Sequence, residues 1–226
     1  MARLARAVFP GLPHHVTQRG NGRQQTFFDD GDYAFYASLL REHCAAAGVA
    51  IWAWCLMPNH VHLILVPSDE DGLRRVLSRV HRIYAGQVHA RLKRTGHFWQ
   101  GRFGCVAMDE EHLCAALRYV ALNPVRAGLV ERAQDWRWSS ARAQLGLSDD
   151  AMTAVQATLD RIPDFAGLLA AAEDEEATKR LRCAESVGRP VGSAEFLERL
   201  EASHDRRLRR EKPGPRAVQL SALSPN

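Results

Sequence analysis

The chain has 226 residues, a net charge of +4 and 46 % hydrophobic content, enough apolar material for one full domain and an appendage. No run approaches the roughly 20 apolar residues of a membrane-spanning helix, and residues 1–15 carry two arginines with no long apolar stretch behind them. Neither a membrane protein nor a secreted one is expected. Cys44, Cys55, Cys105, Cys114 and Cys183 are odd in number and lack a Cys-x-x-Cys pair. That argues against a disulfide framework or a cysteine zinc site, and for small buried residues in a reducing cytoplasm.

In chain order, residues 14–19 read as a short strand ended by the turn Gly20-Asn21-Gly22. Residues 29–47 read as a helix with an acidic start, apolar residues Phe35, Leu39 and Leu40 at helical spacing, and Gly48 as a stop. Residues 49–56 form an apolar strand, Met57-Pro58-Asn59 a turn, and 60–66 a second strand ended by Pro67. Residues 72–94 predict a long basic helix with Leu73, Val76, Leu77, Val80, Tyr84 and Val88 on one side. A loop over 96–101, a strand over 103–108 and a helix from Asp109 to about Leu122 follow, the last ended by Asn123-Pro124 because the residue before a proline avoids the helical region. Short helix or turns continue to about Leu145. This order fits an α+β fold, a ferredoxin-like sandwich with an antiparallel sheet. Residues 1–148 are expected to form the main domain. Residues 149–226, rich in alanine and mixed charge with a basic run from Arg206 to Arg216, are expected to form a helical appendage with a basic, partly disordered tail.

Charge distribution says more than net charge. Between Asp71 and Asp109 there is no carboxylate, while Arg74, Arg75, Arg79, Arg82, Arg91, Lys93, Arg94 and Arg102 all fall there, interleaved with Tyr84, Phe98, Trp99 and Phe103. A basic stretch with aromatics suits a polyanion with unpaired bases, nucleic acid above all; a solvated basic helix is the plainer alternative.

The sharpest local feature is His60-Val61-His62. Alternate strand residues share a face, so both imidazoles can grip one divalent cation. Alone, the pair is as readily two core or surface histidines. A third ligand must come from elsewhere, since Leu63-Ile64-Leu65-Val66 follow. Of the tyrosines Tyr33, Tyr36, Tyr84 and Tyr119, only the last is followed four residues on by a side chain with a metal-binding oxygen, Asn123. The first three read as core or rim aromatics. Tyr119 could equally be a half-buried aromatic and Asn123 a helix-ending residue.

Five segments in order now make the chain familiar: 13–20 (Pro-His-His-Val-Thr-Gln-Arg-Gly), 54–64 (Trp-Cys-Leu-Met-Pro-Asn-His-Val-His-Leu-Ile), 98–103 (Phe-Trp-Gln-Gly-Arg-Phe), 119–130 (beginning Tyr-Val-Ala-Leu-Asn-Pro) and 136–140 (Trp-Arg-Trp-Ser-Ser). Over residues 8 to 145 the chain resembles the single-tyrosine HUH transposases, and within them the REP-associated tyrosine transposases. The resemblance implies a ferredoxin-like fold and cleavage and joining of single-stranded DNA near hairpins. It further implies Mg²⁺ or Mn²⁺ held by His60 and His62 with Asn123 as third ligand, Tyr119 as nucleophile, and a possible homodimer. Arg74, Arg75, Arg79, Arg82 and Arg102 are expected to hold phosphates and Trp99 to stack on a base. A non-catalytic hairpin DNA- or RNA-binding regulator on the same fold is the alternative. A metallohydrolase activating water is disfavoured by the lack of an acidic ligand beside the histidine pair.

Overall fold

The computed structural model describes residues 7–172, 174–204 and 208; apart from Leu208, the basic run from Arg206 to Arg216 lies outside them. Four strands, β1 (His14–Arg19), β2 (Val49–Met57), β3 (His60–Pro67) and β4 (Gly104–Ala107), form one sheet in the order β2-β3-β1-β4. Every neighbouring pair is antiparallel. Helix α1 (Asp30–Ala46) joins β1 to β2, and α2 (Gly72–Leu92) joins β3 to β4. This is the α+β, ferredoxin-like arrangement of two crossovers over an antiparallel sheet.

The two sheet faces bury different partners. On one, Val16, Leu56, Val61, Leu63, Leu65 and Cys105 pack with the apolar sides of α1 and α2. Leu73, Val76, Leu77, Val80, Tyr84 and Val88 of α2 are all buried, and each such aliphatic side chain contributes about 1.5–3 kcal/mol. On the other face, Cys55, Met57, Ile64, Val106 and Met108 pack under α3 (Glu110–Arg126). Strand β2 switches register between Ile51 and Ala53, so the consecutive residues Trp52 and Ala53 both join the α3 side. Asp29 and Asp109 cap α1 and α3, their side chains accepting from Asp32 N at 2.9 Å and His112 N at 3.0 Å, which satisfies amides that the first turn leaves without partners.

The 136–140 segment runs along the outer edge of β2. Leu56 N–H donates to Trp138 O, Ser140 N–H to Trp54 O, and the Trp136 indole N–H to Leu56 O. Downstream, Ala154 N–H donates to Ile51 O, while Gln144 and Thr158 side chains both donate to Trp52 O. After these come short helices α4 (Ala141–Gln144), α5 (Val155–Leu159) and α6 (Phe165–Ala170), then α7 (Glu175–Val187) and α8 (Ala194–His204). Phe165, Leu181 and Ala184 share the α3-side core. Phe196, Leu200 and Leu208 form a third cluster with Phe9 and Ala107.

Three expectations need correction. Helix α3 does not stop at Leu122 but runs through Pro124 to Arg126. The proline falls in the last turn, where its missing N–H removes one bond, while Ala127 N–H to Asn123 O and Leu129 N–H to Pro124 O (both 3.0 Å) close the helix beyond it. The cysteines are not uniformly buried: Cys114 is half-buried and Cys183 exposed, and none of the five is in a disulfide. The basic stretch, acid-free between Asp71 and Asp109, is compensated in part by carboxylates that flank it or come from α1, which pair with Arg74, Arg75 and Arg91. Among the described residues no helix is long and apolar enough to cross a membrane.

Candidate active site

Strand β3 carries His60 and His62 on the α3 side of the sheet, with Ile64 as the next residue of that face. Their rings stand nearly perpendicular, centroids 4.9 Å apart. Tyr119 on α3 lies against them, its ring 5.3 Å from that of His62 and edge to face. The sheet register then adds a residue to which sequence reasoning gave no role. β1 pairs with β3 so that His15 faces Ile64 and Thr17 faces His62, which brings the His15 ring parallel to His62 at 5.2 Å, with Nε2 3.0 Å from His62 Nδ1. His15 is also 6.1 Å from the Tyr119 ring.

The imidazoles are held neutral. Burial is the main cause in each case: it pushes His15 and His60 down to about 3, with Arg19 adding to the effect at His60. His62 is pushed well below the usual histidine range by burial first, then by His15, His60, Arg19 and Arg182. A neutral imidazole keeps a lone pair, the form in which histidine binds a metal.

Hydrogen bonding selects where that lone pair sits. His60 Nδ1 is 2.6 Å from Asn59 Oδ1; a carbonyl oxygen only accepts, so Nδ1 carries the proton and Nε2 the lone pair. In the tautomer in which His62 Nδ1–H donates to His15 Nε2, His62 Nε2 likewise presents a lone pair, and that atom is buried with no hydrogen-bond partner among the described residues. Such outer partners fix the orientation of ligating histidines.

Asn123 follows Tyr119 by one helical turn. Its Nδ2 is buried with no hydrogen-bond partner among the described residues, and a half-turn of the amide would put the carbonyl oxygen in that place. Two neutral nitrogens and one amide oxygen therefore suit a divalent cation, leaving most of its charge for a phosphate. No group of three or more His, Cys, Asp or Glu side chains with metal-site geometry occurs among the described residues.

Cations surround the phenol. The Arg126 guanidinium carbon is 5.0 Å from the Tyr119 ring centroid and that of Arg182 is 5.4 Å away. Arg126 also donates to Tyr119 O at 3.0 Å. Arg126 sits two turns beyond Tyr119, a spacing visible in the sequence; Arg182 comes from a stretch with no motif to mark it.

The basic residues expected to touch DNA lie elsewhere. Arg74, Arg75, Arg79 and Arg82 are exposed on α2, which packs on the sheet face opposite Tyr119. Arg74 pairs with Asp71, Arg75 with Asp69 at 2.6 Å, and Arg91 with Asp32 of α1 at 2.6 Å. Arg79, Arg82, Lys93, Arg94 and Arg102 have no carboxylate partner among the described residues. Trp99 is half-buried among His81, Tyr84 and Phe98, its indole N–H donating to His81 O at 3.0 Å, so only part of its ring is open. The loop carrying Trp99 and Arg102 bridges to the end of β1, with Gln100 N–H donating to Arg19 O at 2.9 Å. Arg19 in turn faces His60 across the sheet.

A family model described as "Transposase IS200 like" matches residues 9–123, just over half of the chain. A Haemophilus influenzae protein named as a REP-associated tyrosine transposase is 29% identical over 116 residues. That alignment takes in 46% of this chain and 66% of the relative, just under two thirds of the latter's length. Among solved structures, one described as a REP-associated tyrosine transposase bound to a REP hairpin is similar in fold, with a TM-score of 0.53 and 20% identity over 68% of this chain and 97% of that one.

Proposed function

This chain belongs to the IS200-like transposase family, and on that premise we propose that it is a metal-dependent single-stranded DNA endonuclease and strand transferase. It acts near hairpins through a 5′-phosphotyrosine on Tyr119. The observation that carries this reading is the Tyr119 ring edge-on to His62 at 5.3 Å, with both imidazoles and the phenol on one face of one sheet.

The reaction is a transesterification. Tyr119 Oη attacks the scissile phosphorus, the bond from phosphorus to the 3′ oxygen breaks, and the phenol proton ends on the released 3′-hydroxyl. The 5′ phosphate stays on Tyr119. Covalent catalysis splits one hard step into two, and because the phosphoester is conserved, rejoining needs no nucleotide cofactor. Mg²⁺ or Mn²⁺ held by His60, His62 and Asn123 would polarise the scissile phosphate and orient it for in-line attack. His15 and Asn59 hold the imidazoles in orientation through the bonds described above. Exposed Arg79 and Arg82 of α2, on the sheet face away from Tyr119, hold backbone phosphates outside the reacting segment, as does Arg102, and such contacts carry no sequence information.

The test is incubation with labelled single-stranded hairpin DNA and Mn²⁺, followed by a denaturing gel. A covalent protein–DNA adduct is expected, and Tyr119→Phe should abolish it while hairpin binding persists. An adduct that survives the substitution defeats the assignment of Tyr119. Binding with no adduct for any hairpin and either metal points instead to a non-catalytic regulator.

A further inference from the structure

Residues beyond 148 read as an appendage, yet they supply a wall of the site. Helix α7 lies on the same side of the sheet as α3 and contacts α3, β1 and β4. Its Leu181 and Ala184 are buried in the cluster that contains Tyr119, Val106 and Leu113. With the helix seated in that way, Arg182 comes over the Tyr119 ring, its guanidinium carbon 5.4 Å from the centroid. Its charge also bears on His62. Arg180, two residues earlier, instead takes part in an exposed pair with Glu176 at 3.8 Å.

We infer that Arg182 is a positioning residue for Tyr119: α7 lays a guanidinium against the ring of the nucleophile and fixes its tilt towards His62, so the segment after residue 148 completes the active site. A cation over an aromatic face is attracted by the ring's negative π cloud. The planar, weakly hydrated guanidinium suits that position better than an ammonium. The buried α7 residues of the same cluster, Leu181 and Ala184, are apolar, and apolar packing is non-directional. Arg126 reaches the same ring from α3 itself, the helix that carries Tyr119.

This inference rests on Tyr119 as nucleophile, so its test has one arm that needs no activity. The chain is labelled with 3-fluorotyrosine, and the resonance of Tyr119 is identified by its loss in Tyr119→Phe. Arg182→Ala should move that resonance, Arg182→Lys should leave it closer to its original place, and Arg180→Ala should not move it. In the second arm, adduct formation is followed at saturating hairpin DNA. Arg182→Ala should slow it roughly 10- to 100-fold, the scale of loss when a reacting group is misplaced, with hairpin affinity unchanged and partial recovery in Arg182→Lys. An unmoved resonance, a rate loss no larger than that of Arg180→Ala, or a loss confined to DNA affinity overturns the inference. If the unsubstituted chain forms no adduct, the nucleophile reading fails, and the fluorine spectrum still decides whether α7 holds the ring.

Discussion

Acid should unfold this protein through its buried imidazoles. His14 is fully buried, its Nδ1–H donating to Leu12 O at 2.8 Å and its Nε2 accepting from Phe9 N–H at 3.1 Å. Both ring nitrogens are used by the neutral form, and burial lowers the pKa from 6.5 to about 4 despite the opposing bond to Leu12. The folded value lies below the unfolded one, so folding favours the neutral ring. The stability is complete above about pH 6.5 and is lost as the pH falls towards 4. At pH 5 the cost is about 2 kcal/mol from this one group, at ~1.36 kcal/mol per unit. His15 and His60, both near 3, add comparable amounts, against a total stability of about 5–15 kcal/mol for a typical domain. Urea unfolding followed by tryptophan fluorescence, in EDTA so that no divalent ion competes with protons, should give a much lower midpoint at pH 5 than at pH 7.5. His14→Gln should remove about 2 kcal/mol of that pH dependence. Equal midpoints at the two pH values, or a full pH dependence in His14→Gln, would refute the reasoning.

The other expectations can be checked together. His60→Ala and His62→Ala should each weaken Mn²⁺ binding at least about 10-fold by calorimetric titration, since the loss exceeds that of an outer-sphere partner; unchanged affinity would remove both from the metal site. Because imidazoles and phenol meet within one chain, mixing Tyr119→Phe with a His60→Ala, His62→Ala double variant should not restore adduct formation, and restoration would mean that subunits exchange the tyrosine. Replacing Arg79 and Arg82 together by alanine should flatten the log–log salt dependence of hairpin binding by about 1.4, at ~0.7 per phosphate contact on single strands. An unaltered slope would take α2 out of the DNA path.

Strand alternation and helical spacing made most of the fold readable, because each element keeps one apolar side. The end of α3 misled, since a proline marks a helix stop only as a bias, and here Pro124 is buried in a turn closed by later bonds. Extending the helix keeps Asn123 on the side of Tyr119, which strengthens the argument that singled it out. The role of His15 could not be read, because it depends on the β1–β3 register, a non-local quantity. The carboxylates that pair with the basic stretch flank it or come from α1, so the acid-free run of residues 72–108 does not contain them. Arg182 was invisible for the same reason: its place over Tyr119 follows from how α7 seats on the sheet.

The lining of β2 by residues 136–158 has one more consequence. A sheet margin with open amides and carbonyls is a template on which another chain can grow a strand. Here the backbone groups of Ile51, Trp52, Trp54 and Leu56 are already spoken for by the protein's own later residues. Growth of the sheet from that margin into a neighbouring molecule is therefore barred, and any self-association on that side has to be made by side chains.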